Sequence, residues 1–319
     1  EVVVVGYGVQ KKSDVTGAMI RVGSEELNSR PVANAFEAMQ GKAAGVDIVS
    51  NERPGEVGTI NVRGVRSLSA SNTPLYVVDG IPLMSNSGIE TLNPQDIESI
   101  DVLKDASATA IYGSRGANGV ILVTTKSGKE GKMSLNYSGT VTIENLQDYS
   151  EMMNSAEYID WRRWSYYYLN PSKYPRGDQP TKENDYEIFL GATDPTAWKN
   201  IEKGWAGGTW DGSRVPNTDW CDMVTQTGVT HEHTLSASGG TDKMKGYASI
   251  GYLDNEGTVK GQSYTRYTTK LSLDLKPTKW FNLGLNVNGT FSEQQYGSSA
   301  SSVGQLIKGM PSNLSLIHI

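Results

Sequence analysis

Three stretches beyond residue 128 alternate apolar and polar residues for eleven or twelve positions each. In the first, Met133, Leu135, Tyr137, Gly139, Val141 and Ile143 alternate with Ser134, Asn136, Ser138, Thr140, Thr142 and Glu144. In the second, Tyr267, Thr269, Leu271, Leu273 and Leu275 alternate with Arg266, Thr268, Lys270, Ser272, Asp274 and Lys276. In the third, Phe281, Leu283, Leu285, Val287, Gly289 and Phe291 alternate with Asn282, Gly284, Asn286, Asn288, Thr290 and Ser292. Side chains of a strand point to opposite faces in turn, so each stretch is a strand with one apolar and one polar face. Ordinary strands run to about 5–6 residues, whereas about 9–11 residues cross a bilayer at a tilt. The stretches 231–238 and 244–253 repeat the pattern less cleanly. Such strands fit either a soluble β-sandwich or a membrane barrel.

Hydropathy does not choose between the two. The mean hydropathy is −0.43, and the longest aliphatic runs, Val2 to Val5 and Val120 to Val123, fall far short of the ~20 residues a membrane helix needs. A membrane helix is thereby excluded, but a barrel strand averages its two faces to a hydrophilic score. The turns Gly239-Gly240-Thr241-Asp242 and Pro277-Thr278-Lys279 read as short, and the connections near 145–230 and 254–263 as long. Barrels of the outer membrane alternate short periplasmic turns with long outer loops in this way. Tyr252, Tyr267, Trp280 and Phe281 near the strand ends suit an aromatic girdle.

The N-terminal half reads as one α+β unit over 13–128. Ser29-Arg30-Pro31 is expected to open a short helix with Val32, Phe36 and Met39 on one face and Gly41 at its end. Gly45 to Val49 and Thr59 to Arg63 read as short strands, and Leu75 to Pro82 as a hairpin turning at Asp79-Gly80. Asn93-Pro94 supplies a cap and first turn. The densest stretch is Asp101 to Gly128, DVLKDASATAIYGSRGANGVILVTTKSG. There a strand leads to Asp105 as cap of a helix over 106–112, Gly113 ends that helix, and Gly116 and Gly119 turn the chain into a second strand apolar on both sides. Ahead of this unit stands EVVVVGYGVQKK, whose four valines and flanking glycines suit a free strand that docks on another sheet's edge, or else the domain's first strand.

Other chemistry finds little support. The glycines at 113, 116 and 119 follow a helix and enter a strand, the reverse of a dinucleotide fingerprint, and Gly131-Lys132 is followed by Met133 rather than by a phosphate-loop Ser or Thr. A net charge of −6 and the lack of basic runs interleaved with aromatics argue against nucleic acid. Cys221 is alone, so no internal disulfide forms. His231 and His233 share a strand face without a third ligand, a weak metal pattern. No G-x-S-x-G or H-E-x-x-H occurs, so neither an enzyme nor a cofactor or metal is expected.

The stretch 101–128, together with MQGKAAGVDI, TINVRGVRS, PLYVVDGIPL and NPQDIESIDVLKDA, resembles the plug domain of TonB-dependent outer-membrane transporters, specifically the SusC/RagA-like branch. The resemblance implies a Ton box at 1–12, a plug at 13–128, and from 129 to 319 the first antiparallel strands of a β-barrel, with a long extracellular loop near 145–230. The fold class is thus an α+β plug followed by an incomplete all-β barrel. It implies import of a nutrient, an oligosaccharide or a peptide, across the outer membrane, with Glu1, Val2, Val3, Val4 and Val5 gripped by TonB in the periplasm under ExbB/ExbD energisation. A SusD-like lipoprotein and outer-membrane lipid are the other implied partners. Arg63, Arg66, Asp79, Asp96, Asp101, Lys104, Asp105 and Arg115 would face the polar inner wall of the barrel. Lys126 to Lys132 would be the hinge. The family barrel has roughly 22 strands, so about five candidates mark an N-terminal fragment, here lacking a leader and the small periplasmic domain of many relatives, and the tail 311–319 departs from the family.

Trp161, Trp164, Trp198, Trp205, Trp210 and Trp220 crowd the long connection, with Tyr166, Tyr167 and Tyr168. Packing the loop into its own small core is the first expectation; stacking on sugar rings by Trp161 and Trp164 is the second. Alternative functions are a secreted or surface β-rich carbohydrate-binding or adhesion protein, and a glycan-acting enzyme.

Overall fold

The computed structural model describes residues 2–297 apart from 6–7, 12–18, 31, 33, 52, 66, 68, 70, 84–88, 90, 106–108, 148–152, 190–194 and 279. It divides into two compact units, 1–144 with 227–297, and 145–226.

In the first unit, β1 (Val2–Val5) and β2 (Gly8–Lys11) pair as an antiparallel hairpin and form a two-stranded sheet of their own. An α+β body comes next: β3 (Met19–Gly23), α1 (Ser24–Leu27), α2 (Ala35–Met39), β4 (Val46–Val49), β5 (Thr59–Val62), β6 (Leu75–Val78), β7 (Ile81–Pro82), β8 (Ile97–Leu103) and β9 (Val120–Thr125). Its main sheet runs β3-β8-β9-β6-β7, with β6 parallel to β9 and the other neighbours antiparallel. β9 is buried on both faces, as its apolar run predicts. Ile121 and Val123 pack with Phe36, Met39, Ile60 and Ile100, while Val120 and Leu122 pack with Leu75, Val77 and Leu103. Each such side chain contributes about 1.5–3 kcal/mol on burial. Truncating Ile121 to Ala would open a cavity at a cost of about 2–5 kcal/mol.

Local signals mostly hold, with two displacements. Asp79 and Gly80 both take positive φ, 48° and 83°, the conformation that an Asp-Gly turn of type I′ requires. The helix expected from Ser29 starts instead after Asn34, whose Oδ1 accepts from Phe36 N at 2.9 Å, so the cap wins over the proline signal. Gly41 at φ 76° lies just past its end. Of the helix expected over 106–112, residues 106–108 fall outside the described residues, and the chain then runs through a 3₁₀ stretch, Ala110–Gly116, broken at Gly113. The Asp105 carboxylate pairs with Arg63.

Five long strands complete the unit: β10 (Gly131–Glu144), β11 (Gly228–Gly240), β12 (Met244–Glu256), β13 (Gln262–Thr278) and β14 (Phe281–Tyr296). They pair antiparallel in chain order as an open sheet with β10 and β14 at its edges. The register aligns Gly139, His233, Tyr252, Tyr267 and Phe291 in one row, and Ser138, Thr234, Gly251, Thr268 and Thr290 in the next. Two connections differ from expectation. β13 continues through Pro277 to Thr278 past a register shift, so two of the three residues expected in the turn belong to the strand. Strands β12 and β13 likewise extend inward on their connection and leave only 257–261, closed by Gly257 N donating to Gln262 O at 2.9 Å.

The second unit is helical: α3 (Ser155–Leu169), α4 (Lys182–Ile188), α5 (Pro195–Glu202) and α6 (Trp220–Val224). Asn154 and Glu157 close a capping box at the start of α3. Tyr158, Ile159, Tyr174, Ile188, Phe189, Trp198, Ile201 and Val215 form its core, with Tyr166, Trp205 and Trp210 against it. The rings therefore pack the segment into a core of its own. Inside lies a buried ion pair: Arg163 Nε and Nη2 donate to Asp185 at 2.9 and 2.5 Å, Nη1 donates to Asp160 at 2.9 Å, and the guanidinium lies 3.9 Å from the Trp210 ring centroid. Trp205 Nε1 adds a bond to Asp185 at 2.9 Å. The pair is fully hydrogen-bonded, the condition under which a buried charge pair is tolerated.

Candidate functional site

The polar residues of the long strands and the α+β body meet in one interface. It is built by the two-residue period: on β11 to β13 the positions Thr234, Ser249, Thr268, Lys270 and Ser272 are buried, while Leu235, Ile250, Tyr267 and Leu271 on the other face are exposed. The outward face carries Met133 at 79% and Phe291 at 68% exposure. An apolar face this open beside a polar face this buried inverts the pattern of a soluble sheet.

One cluster surrounds residues 91–96. Asn93 caps a short 3₁₀ turn, Pro94–Asp96, by accepting from Gln95 N at 2.9 Å, and its Nδ2 reaches Thr234 Oγ1 at 3.0 Å and Thr268 Oγ1 at 3.4 Å. Asp96 Oδ1 accepts from Tyr247 Oη at 2.8 Å and Ser249 Oγ at 2.6 Å. Arg266 Nη1 donates to Leu92 O at 3.3 Å and Thr290 Oγ1 to Thr91 O at 3.2 Å. Further along, Gln294 Nε2 donates to Pro54 O at 2.7 Å. Bonds to a charged acceptor contribute about 1.5–3 kcal/mol each, so Asp96 dominates this cluster.

A second cluster centres on Asp79. Its carboxylate accepts from Thr125 N at 2.8 Å, Thr125 Oγ1 at 2.5 Å and Asn286 Nδ2 at 2.8 Å. Lys270 Nζ stands 3.9 Å from it, bonds Thr125 Oγ1, and reaches Asn286 and Asn288 Oδ1 at 3.4 and 3.3 Å.

The connecting segment 126–130 is tied to both sides. Lys126 N donates to Asp96 O at 2.7 Å, Lys129 pairs with Glu98 at 3.1 Å, and Lys245 pairs with Glu130 at 3.3 Å. Burial lowers the Lys126 pKa, and Asp96 and Glu98 offset part of that effect.

Of the eight charged residues expected at an inner wall, Asp79 and Asp96 bond to the long strands. Arg63 pairs with Asp105, Lys104 bonds Ala44 O, Arg115 donates to Leu83 O at 2.6 Å and Asp101 lies 4.0 Å from Arg21, all within the α+β body. Arg66 lies outside the described residues. Val2 to Val5 form β1, and Glu1 lies outside the described residues. Trp161 on α3 is 54% exposed. Trp164 is half-buried, stacked on Tyr168 at 5.8 Å with Arg176 5.7 Å from its ring. His233 Nδ1 bonds Tyr137 Oη at 2.8 Å, and the two rings stack over Gly139, where a Cβ would stand 2.7 Å from that hydroxyl.

Sequence reasoning singled out neither Lys270 nor the Asn93 contacts as interface groups. Their polar side chains at inward positions were the available signal; the partners across the interface, 141 to 175 residues away for Asn93 and 145 or more for Lys270, were not.

Comparison with known proteins places these features. Residues 11–120 match the TonB-dependent Receptor Plug Domain. The chain is 35% identical over 301 residues to the TonB-dependent receptor P26 of Formosa agariphila, covering 93% of this chain and 27% of that protein. It is 34% identical over 322 residues to the TonB-dependent receptor SusC of Bacteroides thetaiotaomicron, covering 95% and 27%. The RagAB peptide importer in its open-open state superposes with a TM-score of 0.74 at 31% identity, over 93% of this chain and 33% of that one. The chain thus spans about a quarter of the length of these relatives.

Proposed function

Because this chain belongs to the SusC/RagA-like TonB-dependent receptors, as a fragment of one, we propose that the whole protein imports a nutrient across the outer membrane, with 13–128 as the plug and 129–319 beginning the barrel wall. The observation that carries the reading is the inverted sheet: polar residues of β11 to β13 are buried against the α+β body, and Leu135, Ile250, Leu271, Leu285 and Val287 point outward, exposed. A soluble sandwich would bury that outward row. A barrel wall offers it to lipid and keeps the wet side for a removable plug.

In this reading Val2 to Val5, already extended in β1, are the strand that TonB captures by main-chain pairing, with Glu1 beside them. ExbB and ExbD supply the inner-membrane energy that remodels the plug. The cargo is an oligosaccharide or a peptide, the latter supported by the similarity to a RagAB peptide importer. The insert at 145–226 is an extracellular element that works beside a SusD-like lipoprotein, and the exposed Trp161 with Trp164 is its candidate cargo-stacking face.

Fractionation of the full-length protein tests this: it should enter the outer membrane and migrate heat-modifiably, and the C-terminal domain of TonB should retain it until Glu1 to Val5 are deleted. A folded product in the soluble fraction overturns the reading. Unchanged cargo affinity after Trp161→Ala with Trp164→Ala removes the stacking role alone.

A further inference from the structure

We propose that Asp79 and Lys270 form a charged seat that fastens the plug's last strand to the barrel wall and sets whether the plug stays closed at rest. The inference rests on the importer reading above and goes beyond it by assigning the holding step to one pair of residues.

The geometry is specific. Lys270 has only 2% of its side chain exposed and is set among Thr125, Asn286 and Asn288, with the Asp79 carboxylate within ion-pair distance. Asp79 sits on the Asp-Gly turn at φ 48°, a fixed backbone that aims its carboxylate at the start of the connecting segment. It holds both backbone and hydroxyl of Thr125, the final residue of β9. The plug's end and the wall therefore share one acceptor. Lys270 is buried and Asp79 only one-fifth exposed, so the attraction between them offsets the desolvation of the lysine, and removing one partner leaves the other charge uncompensated.

A cavity of about 360 Å³ adjoins the seat, lined among others by Asp79, Thr125, Lys126, Ser127 and Asn286. Water entering there as the segment 126–130 shifts would hydrate Lys270 and Asp79 and weaken their attraction, since Coulomb energy falls as the local dielectric rises. The seat thus holds firmly when dry and lets go once the connecting segment moves.

The test uses the full-length protein in intact cells, reading entry of a large hydrophilic antibiotic that porins exclude. Asp79→Asn keeps a residue suited to the left-handed turn, and Lys270→Met keeps the volume of the side chain. Each should raise antibiotic entry several-fold at unchanged outer-membrane levels, the double variant should leak no more than either single one, and Lys270→Arg should stay tight. Single variants as tight as the wild type overturn the proposal, as does a double variant whose leak is the product of the two single effects. Should Lys270→Met fail to reach the membrane, Asp79→Asn with Lys270→Arg still decides. A wild type absent from the outer membrane, or not retained by TonB, would instead sink the importer reading.

Discussion

At the residue scale, Glu37 on α2 shows burial at odds with charge. Its pKa is raised above the ordinary value near 4.5, first by burial and further by the Glu144 carboxylate, with Arg30 acting in the opposite direction. A raised carboxyl pKa means that the folded state holds the proton more tightly than the unfolded chain. The ionised form therefore costs stability at neutral pH. That cost is full above the folded-state pKa and disappears as pH falls through it to below 4.5. Glu37→Gln should accordingly stabilise the plug at pH 7, with the gain shrinking to nothing below pH ~4.5. Resistance of the full-length protein to proteolysis in the plug, compared at both pH values, measures this; an equal gain at both would mean that packing, not charge, had changed. Arg163 in the insert stands at the opposite extreme, a charge so completely partnered by Asp185 and Asp160 that burial is tolerated.

At the scale of elements, the connecting segment between plug and wall depends on backbone proximity. A Cβ on Gly128 would lie 2.3 Å from Gly246 N and 2.6 Å from the Lys245 carbonyl carbon, so two stretches of main chain touch where no side chain fits. Gly128→Ala must push β12 away and should cost about 1–3 kcal/mol. The neighbouring exposed change Ser127→Ala should stay within about 0.5 kcal/mol. Urea titration of the folded full-length protein separates them, and equal midpoints would show that the contact yields freely. The elements themselves were legible where a single period dominates. β10, β13 and β14 follow from strict alternation, and β9 from its unbroken apolar run. β11 and β12 were fainter because histidines and small residues interrupt their outward faces. Pro277 misplaced a turn because an exposed strand end tolerates proline. The helices of the insert escaped, since α3 mixes aromatic and charged residues around its axis and its fold depends on the Arg163–Asp185 pair 22 residues apart; the capping box at Asn154 and Glu157 was the one local signal. The interface could be read as polar, but its pairings are set by tertiary placement alone.

At the scale of the whole molecule, the outward face records where a membrane would sit. On β14 the apolar outward positions run from Phe281 to Phe291, beside Trp280 at one end and Tyr252 and Tyr267 at the other. Ten residues at ~3.4 Å each span roughly 34 Å along the strand, and the ~40° tilt usual in such barrels reduces this to about 25 Å, the height of an outer-membrane apolar band. Beyond Phe291 the next outward row is polar on β11 to β14, His231, Asp254, Thr265 and Glu293, with Val141 at its β10 end. Leu271 lies midway on this face, and Lys270 next to it tolerates its charge because it points the other way. Depth should therefore govern the cost of a new charge. Leu271→Arg should destabilise the full-length protein folded into bilayers by about 2–4 kcal/mol, whereas Phe291→Arg at the band's edge should cost about 0–1 kcal/mol for the charge itself. Reversible urea unfolding into lipid vesicles gives both numbers, with Leu271→Ala and Phe291→Ala subtracted to remove the packing loss. Equal charge costs at the two positions would mean that this face meets no membrane, and the apolar rows would then require a protein partner instead.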